Sequence, residues 1–558
     1  INFYSMIRRN FLAGGILFIL TSLIISCSSP TAEQTPQRPN ILFIMADDHA
    51  YQAISAYGGA LADLAPTPNI DRIAQQGMLF KRCMVTNSLC GPSRATILSG
   101  KYSHKNGFVD NTFGSRFDFS QNTYAKELQK AGYKTAVIGK LHLGGTPTGF
   151  DYYDILPGQG RYYNPQFINK EGQYEMEGYT SDIITDKTID WLSSVKDSTE
   201  PFMVMMWHKA PHRNWQPGPD ELGKYEGVTF PEPATLFDDY SGERHAASLN
   251  NMTIDKTMRM EQDLKLTDQP WPGLTDAQRA AWDKVYKPIY DAYKESNLKG
   301  EDLVRYKYQR YMRDYLACIA AVDKSVGRVL DYLKETGLDK NTIVVYSSDQ
   351  GFYLGEHGWF DKRWMYKESL RTPLLFSWPG VTKEGSVSDA MVSNLDFGET
   401  FLDIAGAAIP SDMQGRSLVP VLKGEMPADW RTGHYYHYYE HPSEHNVMRH
   451  YGITTDKYKL IHMYYDIDEW ELYDLEKDPD EMHNVYNDPA YDAIKKELHQ
   501  QLEALRTQYQ DSDSLNQHYI DEYNIKVQQN PAIEYWKLTP AELQKAFSQM
   551  PAEGEKGK

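Results

Sequence analysis

Four apolar runs in this chain end in side chains suited to acid, base or metal chemistry. The runs are 40–46, 133–139, 202–207 and 342–348. The side chains that follow them are Asp47 and Asp48, Lys140 and His142, His212, and Asp349 and Gln350. The runs alternate with helical patterns, which predicts an α/β sheet. Because ligands collect at the carboxyl ends of strands in such sheets, four strands could build one site from distant parts of the chain.

The two acidic pairs predict a site for a hard cation. Asp47, Asp48 and Asp349 offer three carboxylates, and Gln350 adds an amide oxygen. Ligation by oxygen alone suits Ca²⁺ or Mg²⁺ and not zinc. The alternative is a solvated strand end, but both pairs end runs that look buried, where unpaired carboxylates are costly. The pattern therefore favours a bound cation.

A second feature is the pentapeptide Cys90-Gly91-Pro92-Ser93-Arg94. Its proline and polar neighbours predict a loop that turns into a helix. The first turn of a helix carries unpaired N–H groups and the positive end of the dipole, which together favour an anion. Cys90 and Arg94 are four residues apart and can border the same anion. The alternative is a buried free cysteine beside an ordinary helix.

The pentapeptide resembles the Cys-x-Pro-Ser-Arg signature of type I sulfatases, members of the alkaline phosphatase superfamily. In that family the cysteine is oxidised to formylglycine, whose hydrate is the nucleophile. Further segments resemble the family's motifs in the family's order: Thr67-Pro68-Asn69-Ile70-Asp71, Gly139-Lys140-Leu141-His142, Ala210-Pro211-His212, Gly355-Glu356-His357-Gly358 and Leu472-Tyr473-Asp474. The likeness extends from Asn40 to about Asn484 and implies an enzyme that hydrolyses sulfate esters.

The resemblance also implies a role for each matching residue. Cys90 would be the formylglycine precursor, matured by a formylglycine-generating enzyme, and Arg94 would steady it. The sulfate oxygens would be held by Lys140, His212 and Lys362. His212 would also protonate the leaving oxygen, and His142 would take a proton from the hydrated aldehyde. Ca²⁺ would bind Asp47, Asp48, Asp349 and Gln350, although the family often has Asn where this chain has Gln350.

The substrate is harder to infer. The segment Phe360-Asp361-Lys362-Arg363, followed by Tyr366, looks like its counterpart in bacterial N-acetylglucosamine-6-sulfatases. Asp361 and Arg363 could bind sugar hydroxyls as acceptor and donor, or could form a surface ion pair. His450 is a further candidate for sugar contact, with a structural histidine as its alternative. The expected substrate is the 6-O-sulfate of N-acetylglucosamine in a glycosaminoglycan, with iduronate 2-sulfate as runner-up.

The resemblance and the patterns together predict the domain organisation. A catalytic domain over residues 39–428 should have the alkaline phosphatase-like arrangement, a large sheet sandwiched by helices. Residues 429–558 should form a smaller C-terminal α+β subdomain with an antiparallel sheet, followed by a tail. Helical spacing from Leu316 to Leu333 predicts a core helix ending at Gly337. The segment 213–300 is expected to be a largely helical insertion.

The first residues resemble a bacterial lipoprotein signal. Arg8 and Arg9 precede a short apolar run that ends at Cys27, the expected site of lipidation. Residues 1–27 would be the signal peptide and 28–38 a flexible tether, leaving the protein on the bacterial envelope, periplasmic or surface-exposed. The alternatives are an uncleaved membrane anchor or a cleaved signal without a lipid. Membrane contact is expected only through this anchor.

Composition narrows the choice of partners. The 558 residues carry a net charge of -18, which argues against nucleic acid and requires any anionic substrate to find a locally positive site. Four widely spaced cysteines support neither a disulfide framework nor a zinc site.

Two alternative functions remain beside that of a sulfatase. One is hydrolysis of phosphate mono- or diesters by a member of the same superfamily, and the other is glycan binding by a lipoprotein without catalysis.

Overall fold

The structure, a computed structural model, describes residues 38–111 and 115–529. Its strands are β1 (Asn40–Ala46), β2 (Met78–Met84), β3 (Lys134–Gly139), β4 (Tyr152–Ile155), β5 (Gln166–Asn169), β6 (Gly172–Glu175), β7 (Phe202–His208), β8 (Thr342–Ser348), β9 (Tyr353–Leu354), β10 (Phe360–Asp361), β11 (Arg371–Ser377), β12 (Ser386–Ser393), β13 (Gly433–Tyr438), β14 (His450–Thr455), β15 (Tyr458–Met463) and β16 (Glu469–Asp474). Its helices are α1 (Pro68–Gln75), α2 (Cys90–Ser99), α3 (Ser103–Asn106), α4 (Tyr124–Lys130), α5 (Thr180–Val195), α6 (His245–Leu249), α7 (Asp276–Ser296), α8 (Gly300–Thr336), α9 (Lys367–Leu370), α10 (Phe397–Ala405), α11 (Val419–Leu422), α12 (Asp492–Gln508) and α13 (Asp513–Gln529).

One large mixed sheet has the strand order β12-β2-β11-β8-β1-β7-β3-β4-β5-β6. Strand β1 lies near its centre and pairs in parallel with β7 and β8, and β7 pairs in parallel with β3. These four adjacent strands are the four predicted runs. Their carboxyl ends therefore meet at one edge of the sheet, as the sequence predicts.

The sheet separates two hydrophobic cores. Leu42 and Ile44 of β1 face one core, which also takes side chains from α1, α5 and α8. Ile41 and Phe43 face the other, which takes side chains from α2, α4 and α10. Burial on both faces explains why the parallel strands are continuously apolar. The predicted fold class, a large sheet between helices, is confirmed.

The helix predictions were right for α8 and wrong for the insertion. Helix α8 ends at Thr336, and Gly337 follows in the left-handed conformation with φ 74°. In the insertion, only α6 and α7 are helical, and much of 213–275 consists of turns and loops. Closely spaced prolines such as Pro217 and Pro219 explain this, because proline lacks the N–H that a helix interior needs.

The C-terminal part has the predicted architecture. Strands β13 to β16 form an antiparallel sheet in sequence order, and α12 packs against its first strands. The sheet starts at Gly433, and the domain boundary between residues 428 and 429 stays a prediction. The predicted signal peptide with Cys27, and the tether up to residue 37, lie outside the described residues. None of the helices in the described part has both the length and the apolar character of a membrane span.

Candidate active site

Three carboxylates meet at the carboxyl edge of the central strands. Asp47 and Asp48 follow β1, Asp349 follows the neighbouring β8, and all three are fully buried. One carboxylate oxygen from each lies within 4.8 Å of the others. The backbone N–H of Asp48 donates to Asp349 Oδ1 at 3.1 Å. The parallel pairing of β1 and β8 thus places both predicted acidic pairs together.

The backbone at this edge is unusual. Asp48 and His142 have positive φ angles of 63° and 52°, which are uncommon for residues other than glycine. Gly139 has φ 105°, and a Cβ there would lie 2.0 Å from the carbonyl oxygen of Trp207. Only glycine therefore fits the close approach of β3 to β7 that precedes Lys140.

Helix α2 brings the predicted nucleophile to the carboxylates. The helix begins at Cys90, as predicted, and Cys90 Sγ lies 3.9 Å from Asp48 Oδ1. Arg94, one turn later, donates from Nε to Asp349 Oδ2 at 2.9 Å and from Nη2 to Asp47 Oδ1 at 3.2 Å. Cys90 and Arg94 therefore border one site.

Two lysines complete the charge balance of the cluster. Lys362 Nζ donates to both carboxylate oxygens of Asp48, at 2.6 and 2.7 Å. Lys140 Nζ contacts Asp47 and the side chain of Gln159. With Arg94, three cationic side chains face the three carboxylates, and all six are buried.

Both predicted histidines lie in this environment. His212 Nε2 is 3.8 Å from Asp48 Oδ2, while its Nδ1 is 2.6 Å from the carbonyl oxygen of Arg213. Burial and the nearby Lys140 lower the pKa of His142 and of His212 well below the usual value, so both rings are neutral. The Arg213 carbonyl holds the proton of His212 on Nδ1 and leaves Nε2 facing the carboxylates.

Burial disfavours the ionised forms of two of the three carboxylates, Asp48 and Asp349. It raises the pKa of Asp48 to about 6 even though Lys362 opposes it. It raises the pKa of Asp349 to about 7, with the charge of Asp47 adding to the effect. Gln350 Oε1 is buried and finds no hydrogen-bond partner among the described residues. Three close carboxylates and an unsatisfied amide oxygen fit a hard divalent cation.

The segment after β10 adds a second charged group beside Lys362. Asp361 Oδ2 lies 2.5 Å from Arg363 Nη1 and 2.7 Å from His445 Nε2. Asp361 and Arg363 have φ angles of 82° and 88°, and both are 7% exposed. Asp361 and Arg363 therefore do form the ion pair of the predicted alternative, but the pair is buried next to Lys362 and does not lie on the surface.

Comparison with known proteins identifies the family. The family model described as Sulfatase matches residues 39–407, and the model described as N-sulphoglucosamine sulphohydrolase, C-terminal, matches 355–508. The chain belongs to the sulfatase family. The matched range contains every residue of the acidic cluster, Cys90 and Lys362.

Two sequence relatives and one solved structure are similar to this sulfatase over most of its length. It is 50% identical to an N-acetylglucosamine-6-O-sulfatase of Bacteroides thetaiotaomicron over 509 residues, 88% of this chain and 90% of the relative. It is 28% identical to the human N-acetylglucosamine-6-sulfatase over 71% of this chain and 66% of the relative. A solved structure in complex with its substrate D-glucosamine-2-N,6-O-disulfate is 50% identical, with a TM-score of 0.83, covering 85% of this chain and 99% of the other.

His450 is enclosed by aromatic side chains, mainly those of the C-terminal sheet. It is 0% exposed, and its Nδ1 is 2.7 Å from the carbonyl oxygen of Met448. Its ring stacks against Tyr436 and Tyr438 with centroids 5.5 and 5.4 Å away. These contacts favour the structural alternative, and a sugar contact by His450 stays a prediction.

Sequence reasoning missed two residues that touch the predicted site. The Gln159 side chain accepts a hydrogen bond from the Lys140 amine, and His445 Nε2 lies 2.7 Å from the Asp361 carboxylate. Both lie in loops without periodicity, far along the chain from their partners. The abundance of His and Tyr after His434 was the only signal, and it did not distinguish His445 from the structural histidines.

Proposed function

We propose that this sulfatase removes the 6-O-sulfate of N-acetylglucosamine from sugars of the glycosaminoglycan type. The relative at 50% identity over 90% of its length carries that activity in its name. The solved structure at the same identity holds a substrate that also carries a 6-O-sulfate. The single structural observation that supports the proposal is the buried group around Lys362, where Asp361, Arg363 and His445 stand next to the proposed sulfate site.

Cys90 is proposed as the precursor of formylglycine, whose hydrate supplies the oxygen nucleophile for sulfate ester cleavage. Burial raises the pKa of the Cys90 thiol well above its usual value. An unmodified thiol would therefore stay protonated and react poorly. Cys90 lies at the start of α2, where the positive end of the helix dipole favours an incoming anion.

Asp47, Asp48, Asp349 and Gln350 are proposed to hold Ca²⁺. The ion would supply electrostatic stabilisation of the sulfate oxygens. With the ion bound, Asp47 and Asp48 would no longer depend on Lys140 and Lys362 for counter-charge. Lys140 and Lys362 would then be available to bind the oxygens of the substrate.

The two histidines are proposed to move protons. His212 presents Nε2 to the site, and a bound anionic ester would raise the pKa of the ring so that Nε2 can protonate the leaving oxygen. His142 Nδ1 is buried without a hydrogen-bond partner among the described residues, so it is free to accept a proton. Arg94, held by two carboxylates, fixes the first turn of α2.

Asp361, Arg363 and His445 are proposed to recognise the sugar. The Asp361 carboxylate lies within 2.7 Å of both the Arg363 guanidinium and the His445 imidazole, so the three offer an acceptor and donors in a fixed arrangement. Their positions next to Lys362 put them within reach of hydroxyls on the ring that carries the sulfate.

For the part of the chain before residue 38, lipidation at Cys27 and a place on the bacterial envelope remain our proposal, and a formylglycine-generating enzyme is the proposed maturation partner. Mass analysis of the N-terminal peptide from native membranes tests the anchor. A diacylglycerol on Cys27 is expected, and a free thiol at an uncleaved Cys27 would contradict it.

Sulfate release from three substrates tests the proposed function. We expect hydrolysis of N-acetylglucosamine 6-sulfate to exceed that of a 2-sulfated iduronate and of the matching 6-phosphate by at least tenfold in kcat/KM. Preference for the uronate would overturn the substrate, and preference for the phosphate would overturn the reaction.

A further inference from the structure

A cationic cavity lies next to the proposed sulfate site. Its volume is about 270 Å³. Its lining includes Gln159, Arg161, Lys209, His212, Arg213 and Asn214. Two arginines, a lysine and a histidine line it together with no acidic side chain, although the whole chain carries a net charge of -18. This local charge favours an anion.

The cavity adjoins the proposed sulfate site at Gln159. The side-chain oxygen of Gln159 accepts a hydrogen bond from Lys140 Nζ. The backbone carbonyl oxygen of Gln159 accepts one from Lys209 Nζ at 3.1 Å. His212, the proposed acid, lines the cavity wall. A substrate whose sulfate sits at Lys140 would thus extend past His212 into this cavity.

Lys209 and Arg161 have charge to offer a ligand. Lys209 is 5% exposed, and its amine lies 4.9 Å from the ring centroid of Tyr162. In the described part of the chain it forms no ion pair with a carboxylate. The nearest carboxylate to Arg161 is that of Glu175, at 3.9 Å, and the Arg161 side chain is 49% exposed.

Arg213 differs from these two cations because its guanidinium is already engaged. It donates to both oxygens of Asp263 at 2.7 Å and to Glu444 Oε1 at 2.8 Å. Arg213 therefore braces the wall, and Lys209 and Arg161 remain to bind a ligand.

We infer that this cavity is a second anion subsite, in which Lys209 and Arg161 bind a sulfate or carboxylate group that the substrate carries in addition to the sulfate that is cleaved. The inference rests on the proposed function and names a further feature of its substrate. Burial, together with the charge of Lys140, lowers the pKa of Lys209 to about 7, so a bound anion would stabilise its charged form. A second cavity of about 580 Å³ shares Gly160, Arg161, Lys209 and Asn214 and gives room for a longer sugar chain.

The anion could come from two sources, which three substrates distinguish. N-acetylglucosamine 6-sulfate carries only the scissile sulfate. Glucosamine 2-N,6-O-disulfate adds a sulfate on the same ring. A disaccharide of N-acetylglucosamine 6-sulfate joined through its reducing end to a uronic acid adds a carboxylate on the next ring. The kcat/KM of each is measured at low ionic strength for the wild type, Lys209→Met and Arg161→Gln.

Each variant should lose at least fivefold more kcat/KM on one or both of the doubly anionic substrates than on N-acetylglucosamine 6-sulfate. A selective loss on the disulfate assigns the subsite to the nitrogen substituent, and a selective loss on the disaccharide assigns it to the neighbouring carboxylate. Lys209→Arg should recover most of the selective loss. Lys196→Met, which removes an exposed lysine outside both cavities, is the matched control and should change nothing.

A differential of less than fivefold, whether the losses are equal or absent, would overturn the subsite. Calorimetric binding to the Cys90→Ala protein keeps this test independent of turnover. There the disulfate should bind at least fivefold more tightly than the monosulfate, and Lys209→Met should abolish the difference. If Cys90→Ala binds the two sugars in this way but the wild type releases no sulfate from them, the proposed function fails and the subsite stands.

Discussion

The edge of the large sheet and the core of the C-terminal sheet are both rich in buried ionisable side chains, but they use them differently. At the edge, Asp47, Asp48 and Asp349 crowd together, and Gln350 keeps an amide oxygen without a partner. In the C-terminal part, His437 lies between Asp511 and the Tyr464 hydroxyl, with both ring nitrogens at 2.7 Å. The first region leaves a polar atom open to a ligand, whereas in the second both ring nitrogens of His437 are satisfied by protein groups.

The difference shows that residue type alone does not mark a functional histidine. His212 and His450 are both buried neutral rings, and burial lowers the pKa of each. His212 points Nε2 at a group of charges, whereas His450 lies between tyrosine rings. Substitutions that remove a member of each region should therefore give opposite phenotypes.

The largest effect is expected for Asp349→Asn. The change keeps the shape of the side chain but removes one of three anionic ligands, so Ca²⁺ affinity and turnover should both fall by about 100-fold or more. Metal analysis and sulfate release measure this. Asp511→Asn is the matched control, and equal metal content in both variants would contradict the assignment of the site.

A smaller, substrate-dependent effect is expected for Asp361→Ala and Arg363→Ala. Each should lower kcat/KM on N-acetylglucosamine 6-sulfate by an amount that corresponds to about 1–3 kcal/mol of transition-state stabilisation, because a buried polar partner is left unsatisfied. Hydrolysis of an aryl sulfate, which has no sugar hydroxyls, should change much less. Equal losses on both substrates would mean that the pair supports Lys362 and does not contact the sugar.

His450→Ala should reverse this pattern. Removing a fully buried ring from the aromatic core should cost about 2–4 kcal/mol in the free energy of unfolding. Below the melting temperature, kcat/KM should stay within about twofold of the wild type. Urea unfolding and a kinetic assay on the same sample check both numbers, and a selective loss of sugar hydrolysis would restore His450 as a substrate contact.

The smallest effect concerns pH and the Asp511 carboxylate. Burial would raise its pKa, but His437 and the Tyr435 hydroxyl outweigh burial and lower it below the usual value. Its contribution to stability is therefore complete above the unfolded pKa, about 3.9, and is lost as pH falls below it. Asp511→Asn should destabilise the protein by about 1–2 kcal/mol at pH 7, and this difference should shrink as pH falls from about 4 towards the lower pKa of the folded state. Asp513→Asn, at a side chain that is 87% exposed, is the control and should show no such trend.

Much of the fold and of the site could be predicted from the sequence because strong local patterns encode them. The buried parallel strands are continuous apolar runs, and the residues that follow them had to meet at one edge once the strands were adjacent. The contacts of His445 with Asp361 and of Gln159 with Lys140 could not be predicted, because loops make them across long sequence separations. The insertion was mispredicted for a similar reason, since its polar and aromatic composition has no period.

The buried cluster at the sheet edge is proposed to be a sulfatase site built around a modified Cys90. The most direct test is mass analysis of the peptide containing residue 90, taken from protein coproduced with a formylglycine-generating enzyme and assayed for sulfate release in parallel. We expect an aldehyde at residue 90 in proportion to activity, and an inactive, folded Cys90→Ala variant. Full activity with an intact thiol, or in Cys90→Ala, would contradict it.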